Sequence, residues 1–347
     1  MRWSKPIRGA AENRSLRCAD TSRLDLADCL LLGHRPLPPG EGDAPMTASL
    51  ASTTGRQTVA VIGAGTMGAG IAYVFARAGW HVTVAEPSPP QRTRLLDTLK
   101  SASADGMRRG KLTEAQAALL ISSVSLVTGA HELPRGLDLA IESVPEDLAL
   151  KQSVLRALDE RAPTIIGSNT SGLSIDALAD CLADPTRLIG MHFFNPVWSL
   201  PLVELVVGGQ TSLEVIDAAR RHAESVGKQT IVVRNVPGFA TSRLDLIASL
   251  EAIRMLEDGV ASAEDIDRAA VLAYRHPIGP LRLSDIVGLD VRLDIARHLH
   301  SSLGERYAPP RLLEQKVARG ELGQKSGKGF YDWPAPPSLL PTSHAQP

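Results

Sequence analysis

The chain has 347 residues, 44% hydrophobic and 22% charged, with a formal net charge of −1, a composition that suits a soluble protein of two domains plus an appendage. The balanced charge excludes the broad basic field of a nucleic-acid or anionic-membrane binder, so an anionic ligand has to be held by local charges. Aromatics at 4% speak against base-stacking platforms.

No apolar run reaches the ~18–20 residues of a bilayer span. Cys18, Cys29 and Cys181 form no CxxC pair and no metal-ligand spacing, which points to a reducing cytoplasm with no zinc site. Residues 1–56 differ from the rest. Arg2, Lys5, Arg8, Arg14, Arg17 and Arg23 suggest a transit peptide, but Glu12, Asp20, Asp25 and Asp28 argue against one. Pro36–Pro45 reads as disordered linker, and Met46 is the expected natural start.

From Thr58 strand and helix signals alternate. Thr58–Ile62 is a buried parallel strand by composition; Thr66–Ala78 has helical spacing and stops at Gly79; His81–Glu86 is a second strand. Glu146–Arg161 reads as an amphipathic helix with Leu148, Leu155 and Leu158 on one face. Thr164–Ser168, Arg187–His192 and Leu202–Val207 read as strands, and a capping box over Thr211–Glu214 opens a helix that Gly227 ends. This alternation predicts a doubly wound α/β domain over residues 57–236. After Pro237 only helices are expected: Phe239–Asp258, Ala263–Ala273, Ser284–Leu303 and Pro310–Arg319. They make an all-helical C-terminal domain over residues 237–333. Residues 334–347 form a Pro/Ser-rich tail.

Gly63-Ala-Gly65-Thr-Met-Gly68 lies between the first strand and the first helix. Gly63 permits the tight turn, Gly65 lets the backbone approach a pyrophosphate, and Gly68 lets helix and strand pack. With Thr66 and Met67, these residues point phosphates at a helix N-terminus. Glu86, ending the second strand, suits the adenosine ribose hydroxyls and repels a 2′-phosphate, favouring NAD over NADP despite Arg92 and Arg94 nearby. FAD uses a similar fingerprint.

A dehydrogenase acting on an alcohol needs a base, and histidine as a residue type titrates near neutrality. His192 stands at a strand end, where open α/β sheets place ligands. Glu204, on the next strand, could accept the second imidazole N–H and fix its tautomer. Spacing alone leaves a strand-end histidine beside a surface glutamate as the commoner arrangement.

Together, Gly63–Gly68, Ser168-Asn-Thr-Ser171, His192-Phe-Phe-Asn-Pro196, Pro201-Leu-Val-Glu204, Pro237-Gly-Phe239 and Ser326-Gly-Lys-Gly-Phe-Tyr331 resemble the 3-hydroxyacyl-CoA dehydrogenases. The likeness runs from Thr58 to Trp333, and the short single-function branch fits best. It implies His192 as catalytic base with Glu204 as its partner, and Ser171 bonding the substrate oxygen. It also implies Asn195 at the nicotinamide end, with Glu146 and Lys151 contacting the cofactor. Where the family often carries Asn, this chain has Ser242, a shorter donor that would help position the substrate oxygen. Trp198 is bulkier than usual and is expected to narrow the acyl pocket.

Coenzyme A needs a basic patch, and Arg108, Arg109 and Lys111 are the candidates, although a charge run is often only a solvated face. The resemblance implies an NAD-dependent oxidoreductase of (S)-3-hydroxyacyl-CoA, with a homodimer through the helical domain. The competing readings are a dehydrogenase of a non-CoA hydroxy acid and a non-catalytic NAD-binding sensor.

Overall fold

The computed structural model describes residues 56–334. The expectations for the N-terminal extension with its Met46 start, and for residues 335–347 of the tail, lie outside the described residues. Among the described residues, eight strands, β1 (Thr58–Ile62), β2 (His81–Ala85), β3 (Val124–Val127), β4 (Leu139–Glu142), β5 (Ile166–Ser168), β6 (Leu188–Phe193), β7 (Leu202–Val207) and β8 (Gln229–Arg234), form one sheet. Its order is β3-β2-β1-β4-β5-β6-β7-β8. Every neighbouring pair is parallel except β6 and β7, which run antiparallel.

Helices cover both faces of the central strands, which is why these read as continuous apolar runs. Val59 and Val61 pack with Ile71, Val74 and Phe75 of helix α1 (Thr66–Arg77). Ala60 and Ile62 face the other way, toward Leu155 and Leu158 of α4 (Leu148–Asp159). Between them in sequence lie α2 (Pro89–Arg108) and α3 (Glu114–Ser122), and after them α5 (Ile175–Ala179) and α6 (Leu213–Ser225). Among the described residues no further strand follows β8, and the α-helices are α7 (Thr241–Glu257), α8 (Ala263–Tyr274), α9 (Pro280–Val287), α10 (Leu289–Leu303) and α11 (Arg311–Ala318). They close on their own apolar core of Leu246, Leu250, Leu281, Leu293 and Leu299.

Three strands exceed the expectation. β3 and β8 are the two edges of the sheet and only half-buried, so their apolar signal is diluted. β4 is four residues long and ends on a charged residue, Glu142. The helix expected from Glu146 begins at Leu148, because the Asp147 carboxylate caps it by accepting the Leu150 N–H. The cap expected at Thr211 belongs to Ser212, which accepts the Val215 N–H; the Thr211 hydroxyl instead donates to the Leu188 carbonyl. The single helix expected over Ser284–Leu303 breaks at Gly288, whose φ of +105° is open to glycine and costly for other residues.

Candidate active site

Because β1, β4, β5 and β6 are parallel, their carboxyl ends share one edge, and the loops leaving them converge there. At β1 two of the three glycines leave no room for a side chain. A Cβ on Gly68 would stand 1.9 Å from the Gly63 carbonyl oxygen, and Gly63 itself, at φ +97°, lies against Ser143. A Cβ on Gly65 would meet nothing within 4 Å. That open space adjoins a cleft of about 910 Å³ lined by Gly65, Thr66, Met67, Glu86 and Ser143. Glu86 accepts hydrogen bonds from the Ala64 and Ser88 amides, both 2.9 Å, so the acid is fixed against the glycine turn. Arg92, whose charge clouded the choice between NAD and NADP, is tied to the main-chain carbonyls of Glu86 and Pro87. A cleft with open backbone at a helix N-terminus and an acid at the second strand fits a dinucleotide with free ribose hydroxyls.

At β6 the antiparallel register sets His192 directly opposite Glu204, a cross-strand contact that turns a twelve-residue separation into a 2.7 Å hydrogen bond between Nδ1 and Oε2. Glu204 is fully buried. Its Oε1 accepts the backbone N–H groups of Ala240 and Thr241 at the start of α7, and its Oε2 also accepts the Thr241 hydroxyl at 2.7 Å. Burial pushes its pKa up. The bonds from His192, from the Thr241 hydroxyl and from the Thr241 amide outweigh burial and hold it below the ordinary carboxylate value. Glu204 is therefore ionised and accepts only, so Nδ1 carries the proton and Nε2 is the basic nitrogen.

His192 lines a cavity of about 370 Å³ with Met67, Glu146, Asn169, Ser171 and Asn195. Phe194 tilts against the imidazole at 4.3 Å between ring centroids. The loop after β5 is organised by Glu146: its Oε1 accepts the Thr170 hydroxyl (2.6 Å), the Ser171 and Gly172 amides (2.9 and 3.0 Å) and the Ser171 hydroxyl (3.3 Å). Partial burial raises the Glu146 pKa, but the Thr170 bond, the Lys151 charge and the two amides win, leaving it lowered.

Lys151 departs from the expected cofactor contact. Its side chain has no exposed surface, and Nζ donates to Glu142 Oε1 at 2.7 Å and to the Val144 carbonyl at 3.0 Å. It is the buried counter-charge of Glu142, and it reaches the cleft only through Glu146, 3.4 Å away. Ser242 is half-buried and not among the residues lining the His192 cavity, while its neighbour Thr241 makes the contact to Glu204. Sequence reasoning passed over Thr241. Its signal was a hydroxyl at the first position of a helix that follows Pro237-Gly-Phe239.

Of the basic trio, the Arg108 guanidinium pairs with Asp105. Arg109 and Lys111 line a separate cavity of about 100 Å³ with Tyr73 and Trp198. Trp198 therefore sits among these cations rather than among the residues lining the His192 cavity, where a narrowing of the acyl pocket was expected.

A doubly wound sheet with a glycine turn for a dinucleotide and an ionised-glutamate–histidine pair at the same edge defines a nicotinamide-dependent dehydrogenase. Residues 58–236 match the model of the 3-hydroxyacyl-CoA dehydrogenase NAD binding domain, and residues 238–333 match that of the 3-hydroxyacyl-CoA dehydrogenase C-terminal domain. The chain belongs to the 3-hydroxyacyl-CoA dehydrogenase family. It is 40% identical to a probable 3-hydroxybutyryl-CoA dehydrogenase of Bacillus subtilis over 79% of this chain and 96% of that one. It is 41% identical to a 3-hydroxybutyryl-CoA dehydrogenase of Mycobacterium tuberculosis over 80% and 98%. The crystal structure of (S)-3-hydroxybutyryl-CoA dehydrogenase from Ralstonia eutropha superposes with a TM-score of 0.77 at 37% identity, covering 81% of this chain and 100% of that one.

Proposed function

We propose that the protein oxidises a short-chain (S)-3-hydroxyacyl-CoA, 3-hydroxybutyryl-CoA, to the 3-ketoacyl-CoA and runs the reverse reduction, in the cytoplasm and within fatty-acyl metabolism. The observation that carries the reading is the His192–Glu204 contact beside a cavity that also holds Ser171. His192 Nε2 removes the hydroxyl proton, and the Glu204 carboxylate stabilises the imidazolium that results. Ser171 orients the substrate oxygen from the edge of the loop that Glu146 holds, and Asn195 borders the same space. Gly63–Gly68 and Glu86 would hold NAD, which when bound would supply the acceptor for the hydride that leaves the same carbon. In reduction, protonated His192 donates to the forming alkoxide. Oxidation releases a proton, so higher pH favours the ketone.

Arg109 and Lys111 would hold the anionic end of coenzyme A, aligning the reacting carbon from a distance. Leu244, Leu272 and Tyr274, exposed by 70%, 70% and 75% on α7 and α8, support a homodimer through the helical domain. The test is NADH consumption with acetoacetyl-CoA and with free acetoacetate, in wild type and His192→Gln. The proposal requires turnover of the thioester that collapses in the variant. Equal rates with the free acid would point to a non-CoA hydroxy acid, and NADH binding without turnover to a sensor.

A further inference from the structure

The cavity beside Arg109 and Lys111 combines features that the acyl-CoA reading uses only in part. Trp198 lies in the loop between β6 and β7 with 38% of its surface exposed. Beneath it Tyr73 is 4% exposed and meets the indole edge-on, 5.8 Å between ring centroids at 69°. The loop is clamped on both sides of the indole. Lys228, itself buried, donates through Nζ to the carbonyls of Val197 and Leu200, and Val197 fills the space that a Cβ on Gly70 would need. Burial, with the charge of Arg77 added, pushes Lys228 down to about 8, so this clamp is held against a desolvation cost. Arg77, Arg109 and Lys111 line the same cavity, and the one acid there among the described residues, Asp105, is paired with Arg108.

A clamped aromatic surface flanked by Arg109 and Lys111, which form no ion pair among the described residues, complements a ligand that carries both a flat π-system and phosphates. We propose that Trp198 is the platform on which the adenine of the coenzyme A handle stacks, while Arg109 and Lys111 take its phosphate charge. This rests on the acyl-CoA reading. The indole then selects the nucleotide end of the substrate and leaves chain length to other residues. A single stack of this kind is compatible with the scarcity of aromatics, which excludes only serial platforms for nucleic acid.

Calorimetric titration of the full chain with coenzyme A and with pantetheine, which lacks the nucleotide, tests the proposal without requiring turnover. Trp198→Ala is expected to weaken coenzyme A binding about tenfold, the order of one base–aromatic stack, with Trp198→Phe restoring most of the loss. The preference for acetoacetyl-CoA over its N-acetylcysteamine thioester should fall by a similar factor, through KM rather than kcat. Unchanged coenzyme A affinity overturns the proposal, as does equal weakening toward coenzyme A and pantetheine, which would mark simple damage to the loop. A shifted ratio of short- to medium-chain rates with intact coenzyme A binding returns Trp198 to the acyl pocket and overturns it too. If wild type binds coenzyme A but reduces no acetoacetyl-CoA, the catalytic reading fails while the stacking test still reads.

Discussion

Glu204→Gln separates a catalytic from a structural reading of the buried dyad. Glu204 Oε1 faces two donors that cannot turn away, the Ala240 and Thr241 amides at 3.1 and 2.9 Å. A glutamine must therefore keep its carbonyl there, since reversing it would leave buried N–H groups opposed at about 1–3 kcal/mol each. Its NH₂ then stands where Oε2 was, against His192 Nδ1. The imidazole can accept that bond only by moving its proton to Nε2, which removes the base from the cavity. The Thr241 hydroxyl adapts by rotating to accept.

The same wrong-tautomer change in serine-protease triads lowers kcat by about 10⁴, and general-base catalysis as a whole contributes about 10²–10⁴. A loss of about 10³–10⁴ in kcat is expected, equivalent to about 4–5.5 kcal/mol of transition-state stabilisation. Rapid-mixing single turnovers of NADH with acetoacetyl-CoA measure it, with NADH affinity and circular dichroism as controls for folding. A folded variant that kept kcat within tenfold of wild type would refute the tautomer argument and leave Glu204 as a packing residue.

Other outcomes follow from the same geometry. Thr241→Val removes the hydroxyl bond to Glu204 but keeps the amide bonds, and kcat in the same assay should fall about tenfold, the value of one hydrogen bond to a charged group. Gly65→Ala meets no protein atom within 4 Å, whereas Gly68→Ala drives a methyl to 1.9 Å from a carbonyl oxygen. The first should preserve the melting temperature while weakening NADH binding more than tenfold, because the added methyl enters the phosphate space, and the second should lower both. Lys151→Met leaves buried Glu142 without its ammonium and should cost about 3–5 kcal/mol in denaturant unfolding; loss of NADH affinity with unchanged stability would restore the cofactor role. Glu146 and Glu204 both sit below their ordinary value of 4.5, so as the medium acidifies the unfolded chain takes up these protons first. Their stabilisation is full above that value and is lost as pH falls through the depressed ones. Thermal melts across this acid range should show a shallower decline for Glu204→Gln than for wild type.

Local chemistry in the sequence determined much of this protein: the strand–glycine–helix turn, the acid after it and the change to helices after Pro237. Each depends on a few adjacent residues whose backbone preference or apolar period needs no distant partner. The tertiary structure decided what distant segments do to one another. Antiparallel pairing of β6 with β7 in an otherwise parallel sheet set His192 against Glu204, and the N-terminus of α7 supplied the donors that keep the glutamate ionised. Lys151 and Glu142 became a buried pair only because α4 packs on β4. Trp198 reached its cations because α1 and α2 bring Tyr73, Arg109 and Lys111 together below a loop that the buried Lys228 holds. Spacing along a chain carries no record of which loop a side chain will face; that is fixed when helices and sheet compete to bury the same apolar surface and the polar groups left over must find partners.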